Sequence, residues 1–410
     1  MSKSGMRAPV IRRSEAASYI LVPALVFADI LNNGSLNLLY FAAVLLIFMT
    51  LWKRTDYYRD LLLYFVPFAL LPFLYFLCSG RALHMVKAAV YCAKIFLCVS
   101  LLSFFKHSPG NGFRPEKVWT GTARCFFLFL ALSLLFYARE PLWRVNDAYN
   151  SFSRTRLQFL YSEPSVLGLI TGVLLLFTLH GALERGFSGR RLLRLALLAL
   201  ILLLTFSMSG ILYFAVSSAW LLASWLLRSG GRVKKSLLAL LLAAGALAVL
   251  ILATANPISG RLASILQGSD SSFHFRWEAS LRSLAGILRG TGYWGLGLGG
   301  MNTEAGLQLL LEAGMDYKFA NSFLYVIAEN GWMGALYLLY LTSLCFHSVK
   351  AARKREQARP ETAQGYREKA AYGFRLKEAL FLYVFISQIA GGYFTDPLLW
   401  CMYGIICGKE

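Results

Sequence analysis

The sequence predicts an all-α polytopic membrane protein with about twelve transmembrane helices. Three observations predict it. Mean hydropathy is +0.55 and 57% of the 410 residues are hydrophobic, beyond what a soluble core requires. The apolar residues fall in blocks approaching the length that crosses roughly 30 Å of hydrocarbon. Lys and Arg concentrate in alternate connections between those blocks, as short cytoplasmic loops do.

Taken in order, spans are expected at 18–31, 38–52, 61–78, 85–105, 120–138, 164–182, 192–207, 209–227, 236–254, 321–347, 377–391 and 397–408. A cytoplasmic N-terminus puts Lys53, Arg54 and Arg59 inside, followed by Arg185, Arg190, Arg191 and Arg194. Arg228, Arg232, Lys234, Lys235 and the basic loop 350–376 then also face inward, so both termini are expected in the cytoplasm. No small-x-small cleavage site follows the first apolar stretch, which therefore reads as an anchor. The chain, 1–410, reads as a single membrane-embedded domain. It has no internal repeat of the kind that builds two-half transporters.

The net charge of +20 is spread thinly along the loops, so no nucleic-acid partner is expected. The seven Cys lie in or beside apolar segments without a Cys-x-x-Cys or a His pair at ligand spacing. No metal, cofactor or disulfide framework is expected from them.

Two outward segments depart from the pattern of helix and short loop. The smaller, 139–162, is polar and aromatic. The larger, 255–319, has apolar residues at helical spacing from Trp277 to Leu288, then a run of glycines from Gly290 to Gly300. Asn302 or Thr303 is placed to cap a second short helix through Leu311. A loop of this length with its own helices is more often functional than connecting.

Ionisable residues at the membrane boundary are the costly ones, and so the candidates for chemistry. Glu163 stands before Pro164 at the mouth of the sixth span, as either a helix cap or a catalytic base. Arg154, Arg156, Arg276 and Arg289 lie on the outer side, where the topology rule disfavours them. Arginine grips phosphate bidentately and stays charged when partly desolvated. His274, flanked by Phe273, Phe275 and Arg276, is either a solvated loop residue or a general base. Asn321 and Glu329 open the tenth span as supporting groups, and Gly331 and Gly334 allow a close helix approach or a break.

Four pieces together carry a resemblance. They are Arg156 followed by Tyr161-Ser-Glu-Pro-Ser-Val-Leu-Gly168, Phe206-Ser-Met-Ser-Gly-Ile-Leu212, Arg276-Trp277 leading to Gly295-Leu-Gly-Leu-Gly299, and Asn321-Ser-Phe-Leu324 leading to Glu329-Asn-Gly331. Their order around one large outer loop resembles the superfamily of O-antigen polymerases and O-antigen ligases. Ala320 and Met208 stand where ligases typically carry a His and a basic residue, and Glu163-Pro-Ser165 is more like the polymerase branch.

The resemblance implies a glycosyltransferase that polymerises undecaprenyl-diphosphate-linked oligosaccharides into O-antigen, capsule or exopolysaccharide. It would act without a metal at the periplasmic face of the bacterial inner membrane, among membrane lipids and with a chain-length regulator as a further partner. Arg154, Arg156, Arg276 and Arg289 would hold the diphosphate, and Glu163 or His274 would take a proton from the acceptor hydroxyl. The alternatives are an O-antigen ligase and a flippase for lipid-linked oligosaccharide.

Overall fold

The computed structural model describes residues 13–29, 37–79, 85–108, 113, 115–145, 155–227, 259–260, 263–264, 267–268, 274–312, 319, 321–358, 373–391 and 394–408. Helices occupy each expected span that these residues cover: α1 (Arg13–Val26), α2 (Leu38–Leu51), α3 (Thr55–Cys78), α4 (Met85–Lys106), α5 (Pro115–Leu135), α6 (Pro164–Arg185), α7 (Gly189–Leu204) and α8 (Met208–Leu226). After the larger outer segment, which holds α9 (Ser280–Gly290) and α10 (Glu304–Glu312), come α11 (Ser322–Gln357), α12 (Phe374–Ala390) and α13 (Pro397–Cys407). The expected span 236–254 lies outside the described residues. By length and apolarity α3, α4, α5, α6, α8 and α11 are each able to cross a membrane. The remaining expected spans hold shorter helices, down to the 11 residues of α13.

The burial pattern is that of a protein dissolved in lipid. Phe41, Leu45 and Phe48 of α2, Leu62, Leu71 and Leu74 of α3, Leu128 and Leu134 of α5, and Leu336, Leu339 and Phe346 of α11 all point outward and are exposed. Contiguous apolar surface on this scale would aggregate in water but costs nothing against acyl chains. The chain is an all-α membrane protein.

Inside the bundle, small residues permit close contact between helices, as expected where lipid supplies no hydrophobic drive for association. A Cβ on Gly404 of α13 would lie 2.8 Å from Cβ of Phe105 on α4. A Cβ on Gly168 of α6 would lie 2.8 Å from that of Ser207 before α8. Tyr383 of α12 reaches across to donate to the Leu169 carbonyl of α6 at 2.7 Å.

One end of the bundle is closed by a buried ionic cluster. Asp60 is fully buried and accepts from Lys106 Nζ at 2.5 Å, Ser103 Oγ at 2.8 Å and the His107 ring at 2.8 Å. Nearby, Lys377 Nζ donates to the Gly408 carbonyl at 2.7 Å, tying α12 to the end of α13.

At the other end α11 is broken. Gly331 has φ 57° and ψ −138°, so the helix loses its regular hydrogen bonds there. The glycine run repairs the break: Leu296 N donates to the Ala328 carbonyl at 2.9 Å, Gly297 N to the Glu329 carbonyl at 2.8 Å, and Trp332 N to the Tyr293 carbonyl at 3.1 Å. Trp294 seals the junction, stacked on Tyr75 of α3 at 4.7 Å and edge-on to Trp332 at 5.3 Å. A Cβ on Gly295, whose φ is +81°, would lie 2.6 Å from Glu329 O and from Gly331 N. Gly295→Ala is expected to cost about 1–3 kcal/mol through strain and clash together. A lowered Tm of the detergent-purified variant would show it, and an unchanged Tm would refute the docking described.

Candidate active site

The first two motif pieces assemble around the N-terminus of α6. The segment 139–162, expected as an outward loop, contributes a short antiparallel hairpin in which β1 (Trp143–Arg144) pairs with β2 (Arg156–Leu157). The pairing places Arg156 inside, 8% exposed, where Nε donates to the Thr205 carbonyl at 3.0 Å and so caps the end of α7. Ser207, next in the Phe206-Ser-Met-Ser-Gly turn, accepts from Gly210 N at 3.2 Å and starts α8. Arg156, Gly168 and the 205–210 turn, separate in sequence, therefore form one packed unit.

Glu163 occupies the N-cap position of α6, but its side chain makes no capping bond. Instead its Oε2 accepts from Ser165 Oγ at 2.8 Å and the side chain is exposed. Ser162, one residue earlier, donates through Oγ to Asp29 Oδ2 at 2.8 Å, and Tyr161 donates to the Leu25 carbonyl at 2.6 Å. The end of α1 is thereby fastened beside Glu163. Arg144 reaches the same link, donating to the Ser162 carbonyl at 3.2 Å.

The other predicted residues divide. Asn321 caps α11, accepting from Phe323 N and Leu324 N at 3.1 Å each, while its Nδ2 donates to the Ile389 carbonyl at 2.5 Å. It thus joins the start of α11 to the end of α12. Glu329 is fully buried beside the break. Thr303, one of the two expected caps, accepts from Gly306 N at 3.0 Å and starts α10. His274 pairs with Glu278 one helical turn away, both exposed, and Arg289 is exposed on the last turn of α9. Arg276 belongs to the turn Phe275–Ala279 leading into α9, and its side chain lies outside the described residues, as does Arg154.

Sequence reasoning missed a set of groups on short connections. Asp396, between α12 and α13, accepts from Leu398 N at 3.0 Å through Oδ1 and caps α13. The preceding Thr395 carbonyl receives Tyr40 OH of α2 at 2.6 Å and Cys98 Sγ of α4 at 3.5 Å. Tyr91, about two turns before Cys98 on α4, lies within electrostatic range of Tyr40, Cys98, Tyr325 and Glu329. Tyr325 in turn receives Asn302 Nδ2 at 2.9 Å, and Lys87 of α4 donates to the Asn302 carbonyl. Asp29 bears electrostatically on Asp396. Hydrogen bonds and electrostatic influences together run from the Ser162–Asp29 pair toward Glu329, between the motif pieces at α6 and those at α11. The available signal was chemical: a carboxylate at the edge of an apolar run is costly wherever it occurs.

A family model described as WcaD colanic acid polymerase matches residues 117–366, more than half of the 410-residue chain. The chain belongs to the WcaD colanic acid polymerase family. It is accordingly a bacterial surface-polysaccharide polymerase, consistent with the polymerase branch of the resemblance read from its motifs. No curated protein matches it. The WcaD match takes in the hairpin, Glu163, the 205–210 turn, the glycine run and Gly331; it leaves out Asp29 and Asp396.

Burial pushes the Asp396 carboxyl up to about 7, with the Asp29 charge adding to the effect and the Leu398 amide opposing it. The folded state thus favours the protonated form. The resulting stabilisation is complete below the ordinary carboxylate range near pH 4 and is lost as pH rises through about 7. Asp396→Asn keeps a cap of similar quality and removes the titration. Melts in detergent should show Tm falling between about pH 5 and about pH 8 in the wild type and a flatter profile in the variant; equal slopes would refute the assignment.

Proposed function

We propose that this WcaD-family chain is a metal-independent glycosyltransferase joining undecaprenyl-diphosphate-linked oligosaccharide repeat units into an exopolysaccharide of the colanic acid kind. In this reading about twelve spans set both termini in the cytoplasm of the inner membrane. The motif-bearing end then faces the periplasm, and a chain-length regulator is a further partner. The observation that carries the reading is the family match over the segment that holds all four motif pieces.

The reaction needs little more than charge and position. An acceptor hydroxyl attacks the anomeric carbon of the donor sugar, the bond to the lipid diphosphate breaks, and negative charge develops on the leaving group. Arg154, Arg156, Arg276 and Arg289 supply positive charge for it, with Arg156 fixed by its bond to Thr205. Asn321 holds the frame by bridging α11 and α12, and Glu329 supports it from beside the break. The proton of the acceptor goes to a basic side chain, for which Glu163 and His274 are the candidates read from the sequence. Tyr and Trp side chains of the outer segments offer faces on which sugars stack.

The glycan and lipid-linked profile of cells lacking the protein tests this. Single repeat units on their lipid carrier are expected to accumulate on the outer face without polymer. Wild-type protein should restore polymer, and Arg276→Ala, at matched expression, should restore under about a tenth of it. Complete polymer left on its carrier would mean a ligase, and units held on the cytoplasmic face would mean a transporter.

A further inference from the structure

We propose that Asp396 is the group that accepts the proton of the attacking hydroxyl, an assignment that rests on the polymerase reading above. Asp396 stands where the ends of α1, α2, α12 and α13 meet α4, outside the segment that carries the family motifs. Its two oxygens are differently employed. Oδ1 accepts from Leu398 N, and among the described residues no second hydrogen bond reaches the carboxylate, which is partly open to solvent. One oxygen therefore holds the side chain in place while the other is available, the arrangement a positioned base requires.

A second observation points to a ligand at the same place. The Tyr91 hydroxyl is buried, with the residue 6% exposed, and has no hydrogen-bond partner among the described residues. It lies among Tyr40 and Cys98, the two side chains that grip the Thr395 carbonyl, and Glu329. A buried hydroxyl left without a partner is destabilising. A sugar with several hydroxyls entering beside Asp396 would satisfy it. The groups facing Asp396 are Asp29 from the end of α1, Tyr40 from α2, Cys98 from α4 and Cys401 from α13, with Lys94 a turn from Cys98. Burial, with the Asp29 charge adding to it and the Leu398 amide opposing it, keeps the carboxyl poised near neutrality, where a general base works best.

The two residues read from the sequence are less suited. Glu163 is exposed and bonded to Ser165, and His274 is exposed and paired with Glu278. In the proposed step the acceptor oxygen forms its bond to the anomeric carbon as the bond from that carbon to the diphosphate oxygen breaks. The lipid diphosphate leaves with the bonding pair, and the hydroxyl proton passes to Asp396 Oδ2. The proton is then released to water as the next acceptor enters.

The test uses purified full-length protein and lipid-linked repeat units extracted from the deletion strain. Asp396→Asn retains the cap on Leu398 and cannot take a proton. Its kcat should fall about 100-fold or more with KM within a few-fold of wild type. The rising limb of the wild-type rate, centred near pH 7, should vanish with it. A merely structural cap predicts a variant within a few-fold of wild type, and that result overturns the assignment. If Asp396→Asn does not accumulate, the wild-type profile decides: a limb near pH 7 supports Asp396, and a flat rate between about pH 5.5 and about pH 8.5 refutes it. Wild-type protein that makes no polymer from these units would refute the polymerase reading itself, whereas an active wild type with an unaffected variant refutes only the role of Asp396.

Discussion

The break in α11 is the constraint on which the rest of the motif-bearing end depends. A helix that stops hydrogen bonding inside a bundle exposes carbonyls that neither lipid nor apolar side chains can satisfy. Here the backbone of the glycine run supplies the missing donors, and it does so only because Gly295 and Gly331 let two chains approach without side chains between them. Once that segment is docked, Trp294 is pinned between α3 and α11, and Asn302 is brought to Tyr325 and Lys87. A fragment distant in sequence thus becomes part of the wall beside Glu329.

The two ends of the bundle treat charge differently. Around Asp60 every partner is provided from within the protein, and removing one would strand a buried ion at a cost of about 3–5 kcal/mol. Around Asp396 the carboxylate is held by the Leu398 amide in a neighbourhood of Tyr40, Cys98 and Cys401, with no lysine or arginine bonded to it among the described residues. The first arrangement is that of a rivet. The second leaves electrostatic capacity for something that arrives from outside.

Much of this was readable from the residues. Apolar runs located the helices, and the capping position of Thr303 followed from residue type and spacing, whereas the capping role of Asn321 emerged only in the fold. The close approach or break allowed by Gly331 is present, and the motif pieces meet in the fold, Gly168 against Ser207 and Gly295 against Gly331. What escaped is what only folding creates. Asp29 and Asp396 are far apart along the chain and sit on connections too short to attract notice, and Thr395-Asp-Pro397 reads simply as the start of a helix. The hairpin of the 139–162 segment escaped for a related reason: two residues per strand leave no alternation to detect. Long loops drew attention, while the convergence of short ones did the gathering.

The length of α11 sets the height at which all of this stands. From Gly331 to Gln357 the helix runs unbroken for a distance of about 39 Å, more than the roughly 30 Å of an acyl layer. Its surplus carries Lys350, Arg353, Lys354 and Arg355, all exposed. Such a collar cannot sink and gains by lying among anionic headgroups, so it works as a float line for the whole protein. Since the break at Gly331 is the far end of the same rigid rod, the draught of the collar also fixes how deep the opposite mouth rides. A membrane richer in anionic lipid would hold that mouth at a more sharply defined level.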